Sequence, residues 1–117
     1  MSDSPVPNKS DGNVNTSPIA FQRVSEDGAI TLGTRVVFLT QASTLAVTLA
    51  APTNPDLDGQ IMTIVAQTAH AHVITATDLI NGDNDTLTFG GAIGDSCDIY
   101  ADGGEYFTGN LTNVTVG

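Results

Sequence analysis

From residue 19 onward, apolar and polar positions alternate in short runs that are rich in Thr, Val and Ile. Branched side chains of this kind fit a pleated sheet better than a helix, so the pattern predicts strands. The clearest strand is the segment 44–49, in which Leu45, Val47 and Leu49 fall on one face and small or hydroxyl side chains on the other. Further strands are predicted at 19–23, 29–32, 34–40, 60–66, 72–76, 86–89, 96–101, 105–108 and 114–116. No segment has helical periodicity, so we expect an all-β fold, a small antiparallel sandwich or barrel.

Two of these segments depart from simple alternation. Segments 34–40 and 60–66 are apolar at nearly every position, as expected of strands that are covered on both faces. We expect one cover to be the core and the other a neighbouring sheet or subunit. Between the last long strands, Asp102-Gly103-Gly104-Glu105 predicts a tight antiparallel hairpin, because glycine accepts the positive φ that such turns require.

The first eighteen residues differ from the rest of the chain. They are polar, contain Pro5, Pro7 and Pro18, and have neither strand nor helix periodicity. We predict an extended N-terminal arm over residues 1–18 and one β-domain over residues 19–117, since a chain of 117 residues suits a single domain.

Charge narrows the classes of partner. Thirteen acidic residues against three basic ones give a formal charge of −10, whereas nucleic-acid binding requires clustered cations. The same charge disfavours an anionic membrane surface, and no run approaches the ~20 apolar residues of a spanning helix. We therefore expect neither nucleic acid nor membrane as a partner. A single cysteine, Cys97, and the absence of a secretory pattern favour folding in a cytosol.

Two segments resemble metal-binding patterns. His70 and His72 are two residues apart, so on a strand they would share a face, but further ligands are missing and we prefer hydrogen-bonded surface or interface histidines. The run Asn81 to Asp85 places oxygen ligands at alternate positions but lacks the glycine and the distal glutamate of a calcium loop. We predict no metal and no cofactor.

Catalytic candidates are equally isolated. Cys97 has only carboxylates beside it and alternates with apolar residues, which indicates a buried and unreactive thiol. Asp56 and Asp58 lie in a proline-rich loop, where we expect them to be solvated. We therefore predict a binding protein and not an enzyme.

The strand and turn segments resemble small proteins that accompany the major capsid protein in tailed bacteriophages. The motifs that carry this resemblance are GAITL (28–32), TRVVFLT (34–40), APT (51–53), DGQIMTI (58–64), TAHAHVITA (68–76), FGGAIGD (89–95) and NVT (113–115). The likeness covers roughly residues 28–117 and leaves the arm outside. One departure is Tyr106-Phe107, because the related sequences often have Trp beside Tyr at this hairpin.

The resemblance implies a head decoration, or cement, protein that is assembled in the host cytoplasm and lies on the outer capsid surface of the virion. Such a protein binds the major capsid protein, bridges its subunits and is commonly a homotrimer. In this hypothesis the arm acts as a clasp. The residues expected to contact the capsid or a sister subunit are Pro5, Val6, Pro7, Pro18, Ile19, Phe21, Arg23 and Arg35.

A second hypothesis is a phage tail-fibre or adhesion module that binds host-surface carbohydrate through the loops 81–85 and 103–106. Sugar sites usually present aromatic faces, and here Tyr100, Tyr106 and Phe107 are the only candidates near those loops. A third, a free-standing protein with a ligand pocket, has no sequence feature in its favour. Whether the histidine pair or the 81–85 loop binds a metal is left open by the sequence.

Overall fold

The computed structural model describes residues 19–117, and its all-β fold confirms the prediction from the alternating pattern. The arm predicted over residues 1–18 lies outside the described residues. The only helical element in 19–117 is one 3-10 turn, Pro55–Leu57, so no helix there is long and apolar enough to cross a membrane. The strands are β1 (Ile19–Val24), β2 (Gly28–Ala29), β3 (Thr34–Leu39), β4 (Ala46–Thr48), β5 (Ile61–Ala66), β6 (Val73–Ile80), β7 (Asn84–Phe89), β8 (Ser96–Asp102), β9 (Glu105–Thr112) and β10 (Val114–Val116).

All ten strands belong to one curled sheet with the order β1-β3-β5-β8-β9-β6-β4-β2, and β7 and β10 branch from β6. We call β1, β3, β5, β8 and β9 the first half-sheet and the remaining strands the second half-sheet. The halves join where Ile80 of β6 pairs with Tyr106 of β9. From β1 to β6 the chain alternates between them.

This alternation explains why the pairing is mixed. Between two neighbouring strands of one half-sheet, the chain passes through a strand of the other half-sheet. That strand takes the place of the helix that usually connects parallel strands, so the chain returns to the first half-sheet in the same direction. The β1–β3, β3–β5, β2–β4 and β4–β6 pairs are consequently parallel. The predicted antiparallel pairing holds for β5–β8, β8–β9, β6–β7 and β7–β10.

The core lies between the inward faces of the two half-sheets. Leu45, Val47 and Leu49 are buried, as the alternation predicted, and Phe89 is the largest fully buried side chain. Both halves contribute branched aliphatic residues to one continuous cluster, among them Val37, Leu39, Ile64, Ile74, Leu87 and Ile99. Burial of these side chains is the main term that stabilises the fold.

Two strands, β6 and β9, continue four residues beyond their predicted ends. β6 continues to Ile80 through Asp78 (φ 60°), and β9 continues to Thr112 through Asn110 (φ 51°). At both places the register shifts, which is the mark of a bulge. The hairpin prediction is confirmed: Asp102 pairs with Glu105, and the two glycines between them both have positive φ, as in a type I′ turn.

Candidate protein-binding surface

The outer side of the first half-sheet carries the residues of β1, β3, β5, β8 and β9 that do not enter the core. Because side chains alternate between faces, strand register places these outward residues in rows across the sheet. One row is Phe21, Val36, Thr63, Asp98 and Gly109, and the next is Arg23, Phe38, Val65 and Ser96. Ile61, Tyr100 and Phe107 form a further row towards the hairpin.

Much of this surface is apolar and open. Ile19, Phe21, Ile61 and Phe107 are 45%, 48%, 48% and 44% exposed. We call these four residues, together with half-buried Val36, Phe38, Val65 and Tyr100, the apolar face. A contiguous exposed apolar area is typical of an interaction site, in contrast to single exposed side chains.

The apolar face bears on one prediction about β3 and β5. These strands were expected to be covered on both faces, by the core and by a neighbouring sheet or subunit. Their inward residues are buried, but the outward ones, such as Val36 and Val65, remain partly exposed. Within residues 19–117, therefore, no second sheet covers this side, and cover by a neighbouring subunit stays a prediction.

An aromatic and cationic group lies at the β1 side of the apolar face. The rings of Phe21 and Phe38 are 6.3 Å apart at 59°, and the Arg23 guanidinium carbon lies 4.8 Å from the Phe21 ring centroid. This distance places Arg23 in a cation–π contact, which holds the guanidinium flat against the face. Arg35 is exposed at the start of β3 and lines a shallow hollow with Ile61.

The structure thus brings together four of the predicted contact residues, Ile19, Phe21, Arg23 and Arg35, on two adjacent strands. Pro5, Val6, Pro7 and Pro18 lie outside the described residues. Sequence reasoning missed Ile61 and Phe107. The predicted hairpin could have indicated Phe107, because it pairs Phe107 with Tyr100. Tyr100 in turn pairs with Ile61 on the adjacent strand.

Carboxylates lie at the opposite side of the first half-sheet. The Asp98 carboxylate accepts hydrogen bonds from the Thr63 hydroxyl at 2.6 Å and the Asn110 amide at 2.8 Å. Asp102 and Glu105 are direct cross-strand partners in the hairpin, an arrangement in which like charges repel. The arginines Arg23 and Arg35 therefore lie on β1 and β3 and these carboxylates on β8 and β9, whereas the apolar residues are distributed over all five strands.

Strand β1 is also an edge strand of the described sheet. Among residues 19–117 it pairs only with β3, so no strand of that range occupies its other side. Edge strands are normally protected by lysine, proline or a bulge, and β1 contains none of these.

The outer side of the second half-sheet has a different character. Thr48, Thr75 and Thr86 form one row across β4, β6 and β7, and Thr88 pairs with Thr115 of β10. Hydroxyl side chains are well solvated, so this surface can face water at little cost.

The two histidines do not share a strand face, which corrects the sequence interpretation. β6 begins only at Val73, so both precede it, and His72 is fully buried instead of lying at the surface. The Leu45 N–H donates to His72 Nδ1 at 3.0 Å, and His72 Nε2 lies 2.9 Å from the Thr68 hydroxyl. The proton is therefore on Nε2, and Thr68 in turn donates to the Gln41 carbonyl.

His72 is held neutral in this network. Burial, reinforced by nearby His70, lowers the pKa of His72 below its usual value, against a smaller opposing effect of the Thr68 backbone as a hydrogen-bond partner. Since both ring nitrogens are occupied, His72 acts as a structural link between the loop at Gln41 and the start of β6.

The candidate nucleophile and one candidate sugar-binding aromatic lie in the core. Cys97 is buried, and burial together with Asp98 raises the pKa of its thiol to about 12. Tyr106 is 3% exposed, its hydroxyl donates to the Ala50 carbonyl at 2.7 Å, and burial raises its pKa. Tyr106 therefore offers no open ring to a carbohydrate.

The calcium-like run 81–85 and the loop that ends at Asp95 both use side-chain oxygens for internal hydrogen bonds. Asp95 is 4% exposed and accepts from the Ala92 N–H at 2.8 Å and from the Asn113 amide at 3.1 and 3.2 Å. Asn81 is bonded through both side-chain atoms to Thr108. In the part of the chain that the structure describes, no group of three or more His, Cys, Asp or Glu residues could hold a metal ion.

Asp56 and Asp58 are exposed, and an Asp58 carboxylate oxygen accepts from the Gly103 N–H at 3.0 Å, which ties the loop 52–59 to the hairpin. An apolar hollow beneath this loop, lined by Leu57, Met62 and Tyr106 among others, has room for about one water molecule. It is too small for an organic ligand.

Comparisons with protein-family models, with curated proteins and with solved structures found no match for this chain.

Proposed function

We propose that the protein is a bacteriophage head decoration protein, which binds the outer surface of the capsid and stabilises it by bridging subunits of the major capsid protein. The observation that carries this proposal is the apolar face. It is an open, partly aromatic surface on an acidic domain, and it begins at the residue where the arm joins β1. A surface of this kind is suited to another protein and not to a small molecule.

The charge of the chain supports an external position. A protein with a formal charge of −10 is repelled by packaged DNA and does not compete for it. Many copies that each bind weakly can still stabilise a shell, because binding to the assembled state shifts its equilibrium and multivalent contacts add avidity.

Within this proposal, the arm and the domain have separate tasks. Residues 1–18, with Pro5, Val6, Pro7 and Pro18, clasp the capsid as an extended segment that can add to an exposed sheet edge. The domain associates with sister subunits, as a homotrimer, so that one assembly holds several capsid subunits at once.

The test uses capsids that lack the protein. We expect the purified full chain to add to them and to raise the temperature at which they break open. Deletion of residues 1–18 should weaken attachment, whereas Thr88→Ala, on the second half-sheet, should leave it unchanged.

Two results would count against the proposal. Failure of the full chain to bind capsids from its own phage would overturn it. Equal binding by the truncated chain, with an unchanged melting temperature of the free protein, would remove the role of the arm.

A further inference from the structure

We propose that the pair Asn81-Gly82 is a site of spontaneous deamidation, that the folded turn suppresses the reaction, and that its product loosens the junction between the two half-sheets. This inference concerns the stability of the β-domain, so it stands or falls separately from capsid binding.

The chemistry follows from the sequence of the turn. Asn81 is the only asparagine in the chain that precedes a glycine. In such a pair the glycine nitrogen attacks the side-chain carbon Cγ, a new C–N bond forms, and the Cγ–Nδ2 bond breaks. Ammonia leaves with the proton of the attacking N–H, and water then opens the cyclic succinimide to aspartate or isoaspartate. A following glycine permits the attack because it has no side chain to obstruct it.

Backbone geometry opposes this attack in the folded chain. Asn81 and Gly82 have φ values of 49° and 105°, the two positive values of a type I′ turn. In that turn the first residue also has a positive ψ, about +30°. Ring closure in an L-residue requires a negative ψ, which brings the next nitrogen beside Cβ. The turn must therefore rearrange before the succinimide forms.

The Asn81 side chain is also held by the neighbouring strand. Its Oδ1 accepts from the Thr108 N–H at 3.0 Å, and its Nδ2 donates to Thr108 Oγ1 at 2.8 Å. The Asn81 N–H donates to the Tyr106 carbonyl at 2.9 Å. The reaction removes Nδ2 and rotates Cγ, so the Thr108 bonds are lost on the way to the ring. Deamidation is consequently limited by how often this contact with β9 opens.

The turn lies where the half-sheets join. Ile80, directly before Asn81, forms with Tyr106 the one strand pair that connects the halves within residues 19–117. In the aspartate product the Nδ2 donor to Thr108 is gone and a carboxylate oxygen takes its place. Isoaspartate in addition inserts Cβ into the main chain, which lengthens the turn. Both products weaken the contact between β6 and β9.

Charge increases the effect of the new carboxylate. The segment 78–85 already contains three aspartates, and Asp85 accepts a hydrogen bond from the Asp78 N–H at 2.8 Å. Arg23 and Arg35, the only lysine or arginine residues in 19–117, lie on β1 and β3, which β5 and β8 separate from β9 along the sheet. The new carboxylate therefore joins an acidic turn, in which like charges repel.

The first experiment follows deamidation of the full-length protein by peptide mass spectrometry at mildly alkaline pH, with chromatography to separate the aspartate and isoaspartate forms. We expect the folded chain to react at Asn81 about tenfold or more slowly than the same chain in urea. Thr108→Val should raise the rate in the folded chain about two- to tenfold, the effect of one lost side-chain hydrogen bond on the opening equilibrium. Thr112→Val, at the end of β9, is the matched control and should leave the rate unchanged.

The second experiment compares two charge variants by thermal melts. Asn81→Asp reproduces the aspartate product, and Asn84→Asp adds the same charge nearby while the Asn81 amide keeps its bond to Thr108. We expect Asn81→Asp to melt about 4 °C or more below Asn84→Asp, the shift that corresponds to loss of one such hydrogen bond.

Three results would each overturn the inference. The first is equal deamidation of Asn81 in the folded chain and in urea. The second is a rate in Thr108→Val no higher than in Thr112→Val, with melts that show both variants to be folded. The third is an Asn81→Asp variant as stable as Asn84→Asp. A chain that meets these expectations but fails to bind capsids would contradict the proposed function and leave this inference intact.

Discussion

The two half-sheets use the same strand geometry but have different outer surfaces. The outward residues of the second half are largely threonine, in rows such as Thr48, Thr75 and Thr86. Those of the first half include Phe21 and Phe38. Threonine and phenylalanine are both good strand formers, so local propensity does not distinguish the halves. What differs is the free-energy cost of exposing each outer surface to water. Burial against a partner would therefore stabilise the outer surface of the first half and not that of the second.

The comparison predicts that identical residue types contribute differently to stability in the two halves. Phe89→Ala in β7 should lower the free energy of unfolding by about 3–5 kcal/mol, because Phe89 is fully buried and truncation leaves a cavity. Phe21→Ala in β1 should cost well under half as much in the monomer. Chemical denaturation at a concentration where the protein is monomeric measures both. Similar losses at the two positions would show that Phe21 is part of the core.

The next largest effect on stability should come from the loop 90–95, which connects β7 of the second half-sheet to β8 of the first. Asp95→Ala removes the part-buried hydrogen bonds that the carboxylate accepts from the Ala92 N–H and the Asn113 amide, at a cost of about 1.5–3 kcal/mol, the range for hydrogen bonds to a charged group. Asp83→Ala, at an exposed turn, should change stability by about 0.5 kcal/mol or less. Denaturant midpoints compare the two variants, and equal effects would mean that the Asp95 bonds contribute little.

The sequence predicted the parts of this fold that depend on neighbouring residues. Alternation in 44–49 correctly identified the buried Leu45, Val47 and Leu49, and the paired glycines predicted the β8–β9 hairpin. The strand order was not predictable in this way. Parallel pairs such as β1–β3 depend on which half the chain enters after each turn, and residues far apart in sequence decide this.

The errors have local physical causes. The predicted ends of β6 and β9 were too early because polar residues with positive φ, Asp78 and Asn110, form bulges within strands and resemble strand ends in sequence. His72 was predicted at the surface because its burial depends on Leu45 and Thr68, which only the fold brings to its ring. For the candidate surface, Phe21 and Arg23 were predicted, whereas Ile61 required strand register.

A smaller, pH-dependent effect should be confined to the second half, where His72 is buried. Since the pKa of His72 is lowered on folding, the unfolded chain binds more protons near pH 6. The contribution of neutral His72 to the free energy of unfolding should be fully present above the ordinary histidine pKa of about 6.5 and should decline as the pH falls below it. NMR titration of the His72 imidazole should give a pKa below the ordinary histidine value.

The matched variants for this prediction are His72→Gln and His70→Gln. The first should reduce the slope of stability against pH between about 7.5 and 5.5. The second should retain most of it, because burial, the largest cause of the lowered pKa of His72, does not depend on His70. An unchanged slope in His72→Gln would mean that protonation of another group controls the transition.

The smallest effect, and the most direct test of the comparison, concerns the outer threonines. Thr75→Val and Thr88→Val are nearly isosteric on a strand and remove one hydroxyl each, so stability should change by about 0.5 kcal/mol or less. Neither should alter binding to capsids that lack the protein, because a single valine does not create a contiguous apolar area. Phe21→Thr in the first half should instead weaken capsid binding while leaving the fold intact, since Phe21 contacts Phe38 and Arg23 at the surface. If threonine in the first half has no more effect than valine in the second, the two outer surfaces are functionally equivalent, and the apolar face is not the interface.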